Sequence, residues 1–66
     1  MITNKEKQDI IDKKLAAILS IINNLQYGIE NYEWNPAKGS DTRQIELSEY
    51  ILQKQALEQE KIVLNN

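Results

Sequence analysis

The stretch IIDKKLAAILSIINNLQYGIENY, residues 10–32, decides the fold because its apolar residues recur at alternating steps of four and three. That spacing places one apolar side chain per turn on a single face of an α-helix. Thr3 and Glu6 have the spacing of a capping box and predict where the helix begins. The stripe consists of Ile11, Leu15, Ile18, Ile22, Leu25, Ile29 and Tyr32. We therefore expect a first helix over about residues 4–33.

The segment EWNPAKGSD, residues 33–41, predicts a bend after this helix. A residue that precedes proline is pushed out of the α region, so the first helix should end near Glu33. Asn35 can cap, Pro36 suits either the first position of a helical turn or the second position of a β-turn, and Gly39 suits the end of the turn. The bend therefore covers about residues 34–40.

A second helix should follow, because Asp41 is a good N-cap and the pattern after it is again helical. We place this helix over about residues 41–64. The short connection makes the two helices antiparallel. The expected fold is all-α, an antiparallel two-helix hairpin that forms a single domain over residues 1–66.

The second helix carries more apolar surface than one neighbouring helix can cover. One stripe consists of Ile45, Leu52, Ala56 and Val63. A second stripe, about a third of a turn away, consists of Leu47, Tyr50, Leu57 and Leu64. Single exposed apolar residues are common and need no explanation. The alternative, which we favour, is that a helix of another chain covers one stripe, and we take the second stripe as the candidate partner surface.

The length of the chain also favours self-association. A compact body of 7.7 kDa exposes about 4,300 Å² of surface, and an elongated hairpin exposes more. The sequence has no Cys and no His, so neither disulfides nor thiolate–zinc sites can compensate for the small apolar area that one hairpin buries. We expect a marginally stable monomer and a homodimer in the form of a four-helix bundle.

Composition narrows the function classes. The absence of His and Cys excludes catalysis and metal ligation by those residues. The net charge is −2 with both signs interspersed, so we expect no direct binding of nucleic acid. The uncharged run at residues 15–29 is shorter than the roughly 20 residues of a membrane span, and no secretory signal is expected. These features favour a cytoplasmic protein without a cofactor, and abundant Ile, Asn and Lys are typical of an AT-rich bacterial or phage genome.

An acidic E-x-x-E spacing occurs once near each side of the bend. The four residues are Glu30, Glu33, Glu46 and Glu49. In an antiparallel hairpin both pairs would lie at the same end, where their carboxylates could bind Mg²⁺ or Mn²⁺. In these spacings alone the chain resembles the all-α nucleotide pyrophosphatases, which use clustered acidic residues on paired helices. The resemblance implies a metal-dependent hydrolase, whereas the simpler interpretation is a solvated acidic face.

Two aromatic residues are further candidates for a partner surface. Tyr27 falls on the polar face of the first helix, and Trp34 follows it seven residues later. Aromatic residues among uncharged polar ones are typical of interface cores. Alternatively, Trp34 folds back over the end of the hairpin and covers Ile29 and Ile45.

Together these patterns favour a small non-enzymatic interaction or structural accessory protein that associates with itself and presents helix surfaces to a protein partner. The metal-dependent hydrolase is the alternative from another class. A third possibility, a small regulator of a nucleic-acid-binding protein, is compatible with the acidic balance.

Overall fold

A computed structural model of the chain describes residues 2–65. Helix α1 spans Asn4–Asn31, a single 3₁₀ turn spans Pro36–Lys38, and helix α2 spans Arg43–Asn65. The two long helices pack against each other side by side, and the molecule measures 50 × 19 × 14 Å. The predicted all-α helical hairpin is thereby confirmed. No helix in the described range is long and apolar enough to cross a bilayer.

Two contacts in the half of the hairpin with the chain ends define the start of α1 and the register of the helices. The backbone N–H of Glu6 donates to Thr3 Oγ1 at 3.1 Å, as the capping-box spacing predicted. Near the chain ends, Lys61 Nζ donates to Asp12 Oδ1 at 2.6 Å and joins α2 to α1. Since residue 61 meets residue 12, the helices run antiparallel and in a defined register.

The surface between the two helices, here called the seam, uses a heptad pattern on both sides. On α1 the apolar stripe faces the seam, and Ile11 and Ile22 are the buried residues of the described chain. On α2 the half-buried residues, apart from Ile51, also follow steps of four and three: Arg43, Leu47, Tyr50, Lys54, Leu57, Lys61 and Leu64. Long lysine side chains lay their aliphatic stems on apolar surface while the ammonium stays in water. Lysines therefore complete a seam in which leucines alternate with charged residues.

The first helix ends at Asn31, two residues earlier than predicted. Tyr32 is already extended, with φ −127° and ψ 132°, and its N–H donates to the carbonyl of Gly28. Arg43 Nη1 donates to the carbonyls of Gly28 and Tyr32, at 2.9 and 2.8 Å. These contacts end the helix at Asn31, five residues before Pro36. Tyr32, which the sequence predicted as the last residue of the apolar stripe, is therefore outside the helix and 63% exposed.

The second helix begins at Arg43, two residues later than predicted. Oδ1 of Asp41 accepts the backbone N–H of Arg43 at 3.0 Å, so Asp41 lies before the helix and is not its first residue. Within the bend, Asn35 Oδ1 accepts the N–H of Ala37, and Gly39 ends the 3₁₀ turn with φ 89°. Asn35 and Gly39 thus have the roles that the sequence predicts for them.

Candidate partner-binding surfaces

Two open cavities that share Lys14 lie along one flank of the seam, in the half of the hairpin that carries the chain ends, and together they are here called the groove. Its floor consists of Ile11, Ile18, Leu57 and Leu64. Its edges carry the apolar residues Ile10, Ala17, Ala56 and Val63 and the polar residue Gln53. Its charged rim consists of Lys7 and Lys14 from α1 and Glu60 from α2. The groove offers apolar surface bounded by both signs of charge.

The opposite flank of the seam carries as many charged residues as the groove. Leu15, Leu19 and Ile62 line it together with three charged residues of α2. Two of these, Lys54 and Glu58, form an ion pair of 2.8 Å. The third, Lys61, pairs with Asp12, whereas Lys7, Lys14 and Glu60 on the rim of the groove form no ion pair within residues 2–65. The groove is therefore the flank whose charges are left for a partner.

A second exposed apolar surface lies on the outside of α2. Ile45, Leu52 and Val63 are 61%, 64% and 69% exposed, and we call these three residues the outer stripe. They lie away from the half-buried heptad positions of the same helix. The outer stripe is therefore available to another molecule, and it meets the groove at Val63.

The structure reverses the expected use of the two stripes of α2. The predicted partner residues Leu47, Tyr50, Leu57 and Leu64 are half-buried in the seam. The other stripe, expected to pack on α1, is the one left exposed. Lys54 and Lys61 complete the heptad that contains Leu47, Tyr50, Leu57 and Leu64, and a pattern of apolar residues alone does not show this. Leu57 and Leu64 nevertheless remain part of a candidate partner surface, because they line the floor of the groove.

The two aromatic candidates do not form a joint surface. Tyr27 is 57% exposed and packs edge-to-face against Tyr32, with ring centres 5.9 Å apart and planes at 62°. Trp34 lies in the bend, where its Nε1–H donates to the carbonyl of Gly39 at 2.7 Å. Its indole thus holds the bend together, and it leaves Ile45 largely exposed.

Arg43 is the central residue of the bend, and the sequence analysis assigned it no role. Its guanidinium lies 5.5 Å from the ring centre of Trp34 and forms a two-point contact with Asp41, at 2.7 Å from Nη2 to Oδ2 and 3.0 Å from Nε to Oδ1. The last turn of α1 contains no basic residue, so Arg43 supplies the positive charge that its C-terminal carbonyls favour. Two features of the sequence pointed to this role of Arg43. The end of α1 has no basic residue, and Arg43 is the single Arg of the chain and follows Asp41 by two residues.

The ion pair at the bend has consequences for both titrating groups. Side-chain and backbone hydrogen bonds from Arg43 hold the pKa of Asp41 below its usual value, although desolvation opposes them. The side-chain hydrogen bond to Asp41 correspondingly raises the pKa of Arg43. Both shifts favour the charged pair in the folded chain.

The four glutamates of the two E-x-x-E pairs are all exposed. Across residues 2–65, no three acidic side chains come together in a group that could hold a metal ion. One of the four, Glu46, instead accepts a hydrogen bond from Thr42 Oγ1 at 3.3 Å. The arrangement in the structure is that of solvated acidic faces.

No protein-family model, curated protein or solved structure matches this chain. The groove and the outer stripe are therefore interpreted from their own geometry and chemistry.

Proposed function

We propose that this chain is a small, non-enzymatic interaction protein that associates with itself into a four-helix bundle and presents helix surfaces to a partner. The observation that carries the proposal is that a single hairpin exposes more surface than a compact protein of its mass, and that large apolar side chains are part of this exposed surface.

The hairpin exposes 5,275 Å², which exceeds the value for a compact body of its mass by roughly 1,000 Å². A standard protein–protein interface covers about 800 Å² on each partner. The excess surface of one hairpin is thus about the area that one such interface removes from water. Packing two hairpins side by side is the simplest arrangement that does so.

The exposed apolar residues support the same conclusion. Ile11 and Ile22 are the buried residues of the described chain, whereas large apolar side chains remain exposed on both helices. Apolar residues scattered singly over a surface are ordinary, but contiguous patches mark interaction sites. Here Ile10 and Val63 lie in the groove, and Ile45, Leu52 and Val63 form the outer stripe. Other exposed apolar residues, such as Leu19 and Ile62, lie on the opposite flank of the seam. If one surface serves the second copy, the other remains for a different protein.

Sedimentation velocity over about 1–100 µM tests the proposal, since a weak dimer dissociates across this range. We expect a species of twice the 7.7 kDa chain mass at the upper end. The helical content of the same samples, measured by circular dichroism, is the control for folding. A chain that stays monomeric and fully folded over the whole range contradicts the proposal.

A further inference from the structure

We infer that the groove is the surface through which two copies associate, and that they associate with both bends at the same end. In this arrangement α1 of each copy lies against α2 of the other. The inference rests on the proposed self-association and adds the contact surface and the orientation of the two copies.

The groove has the composition that a helix-to-helix contact requires. Its edges carry the small residues Ala17 and Ala56, which allow another helix to approach closely. Ile10, 43% exposed, and Val63 supply apolar area that is still in water. Ile45 and Leu52, the other two residues of the outer stripe, line no part of this groove.

A second copy matches the charges of the rim. The α1 edge of the groove is basic, with Lys7 and Lys14, and the α2 edge carries the acidic Glu60. In a two-fold dimer the same patch is used by both subunits and must be complementary to itself. A patch with one basic edge and one acidic edge satisfies that condition when the α1 edge of one copy faces the α2 edge of the other.

The register of the hairpin shows that these charges meet. We call the position of a residue along the long axis of the hairpin its height. The ion pair between Asp12 and Lys61 places Glu60 at about the height of Asp12, and therefore between the heights of Lys7 and Lys14. A two-fold axis parallel to the helices keeps every residue at its height and exchanges the α1 and α2 edges. Glu60 of each copy then faces the two lysines of the other copy, and all chain ends lie together.

The other two-fold arrangement is unfavourable. An axis perpendicular to the helices, through the middle of the groove, lays α2 on α2 and inverts the heights. Glu60 lies near that middle, so it would face Glu60 of the second copy across an apolar contact. Like charges that face each other in an interface are destabilising, and this arrangement offers neither carboxylate a lysine.

A matched pair of variants tests the surface. Ala16 and Ala17 are adjacent and exposed on α1, but only Ala17 lines the groove. We expect Ala17→Glu to weaken the dimer by at least about tenfold, because it places a carboxylate in an apolar contact, and Ala16→Glu to leave the dissociation constant unchanged. Val63→Gln, at the opposite edge, is the second variant if Ala17→Glu loses helix content. Equal dissociation constants for both Glu variants and the original chain overturn the assignment of the groove.

Charge reversal tests the orientation. We expect Glu60→Lys to weaken the dimer roughly tenfold, since two attractive contacts become repulsive, and the double variant Lys14→Glu with Glu60→Lys to recover most of the affinity. In the perpendicular arrangement Glu60→Lys replaces one like-charged pair by another and leaves the affinity unchanged. An unchanged dissociation constant for the single variant therefore overturns the orientation.

A direct distance measurement distinguishes a wrong orientation of the two copies from a wrong proposed function. The chain has no Cys, so Ala37→Cys in the bend introduces one unique site for a spin label. With the bends together, neighbouring hairpins place the two labels about 20 Å apart. With the bends at opposite ends, the separation approaches or exceeds the 50 Å length of the hairpin. A dimer with only the long distance refutes the orientation alone, and a monomer refutes the proposed function with it.

Discussion

At the bend, Arg43 joins four groups that lie apart in the sequence. It caps the carbonyls of Gly28 and Tyr32, stacks on Trp34 and pairs with Asp41. Its side chain is only 17% exposed, although just two of the residues whose burial the structure describes are fully buried. The planar guanidinium can make all these contacts at once, which a lysine ammonium cannot. The turn is therefore held by one side chain as well as by its Pro and Gly.

The two glycines predict opposite responses to alanine. Gly39 has φ 89° and ψ −154°, a conformation that is essentially restricted to glycine, so Gly39→Ala should cost about 1–3 kcal/mol. Gly28 lies inside α1 with no atom within 4 Å of an added Cβ, so Gly28→Ala should stabilise the chain by about 1 kcal/mol. Urea denaturation of both variants measures the two effects. Stabilisation by Gly39→Ala would contradict the conformation of the bend.

The ion pair at the bend predicts a pH dependence. Because folding lowers the pKa of Asp41, its contribution to stability is fully present above the unfolded pKa of about 3.9 and is lost as the pH falls through the lower folded pKa. Asp41→Asn should therefore melt at a lower temperature than the original chain at pH 7, and the difference should shrink as the pH falls below about 4. Asp9→Asn, which removes the same charge far from the bend, is the control. A difference that is constant from neutral to acidic pH argues against the pairing with Arg43.

At the scale of the helices, α2 shows why hydrophobic pattern alone does not say which face is inside. Both of its stripes have helical spacing, and the exposed one contains Ile45, Leu52 and Val63. The seam instead uses Lys54 and Lys61, whose stems pack while their charges stay in solvent. A face that alternates leucine and lysine is easily overlooked beside one that is purely apolar.

Two leucines of α2 test this assignment. Leu57 is half-buried in the seam, and Leu57→Ala should destabilise the chain by about 2 kcal/mol. Leu52 is 64% exposed in the outer stripe, and Leu52→Ala should change the free energy of unfolding by less than about 0.5 kcal/mol. Urea denaturation at one fixed protein concentration compares them. The opposite order would mean that the outer stripe is the packed face.

The boundaries of the helices were predictable to about two residues, for a physical reason. Capping by Thr3 and the turn around Asn35 and Gly39 depend on neighbours in sequence, and those predictions hold. The end of α1 depends on Arg43, which is eleven or more residues away along the chain. A contact of that separation leaves no local pattern, so sequence reasoning extended the helix to the residues before Pro36.

At the scale of the whole molecule, the hairpin is too elongated to bury its own apolar residues. Its dimensions of 50 × 19 × 14 Å leave 5,275 Å² in contact with solvent. Conformational entropy opposes folding in proportion to chain length, whereas burial depends on shape. A long two-helix body therefore gains stability mainly by acquiring neighbours.

This shape predicts that thermal stability rises with protein concentration. When the folded form associates and the unfolded form does not, each hundredfold rise in concentration above the dissociation constant stabilises the dimer by about 2.7 kcal/mol. Melting curves recorded by circular dichroism over such a range should shift to higher temperature. Ala17→Glu is the matched control and should show a much smaller shift. A melting temperature independent of protein concentration would show that the folded monomer is stable without a second copy.

The sequence by itself determined that the chain is all-α, where its two helices lie to about two residues, and that Thr3, Asn35 and Gly39 cap and turn it, because those features depend on periodicity and on neighbours a few residues apart. It also showed that α2 has more apolar surface than one helix covers. Only the tertiary structure decided which stripe of α2 enters the seam, that Tyr27 pairs with Tyr32 and not with Trp34, and that Arg43 ends α1 from across the bend. Those outcomes depend on the register and rotation of two helices, which are set by side-chain packing across the seam.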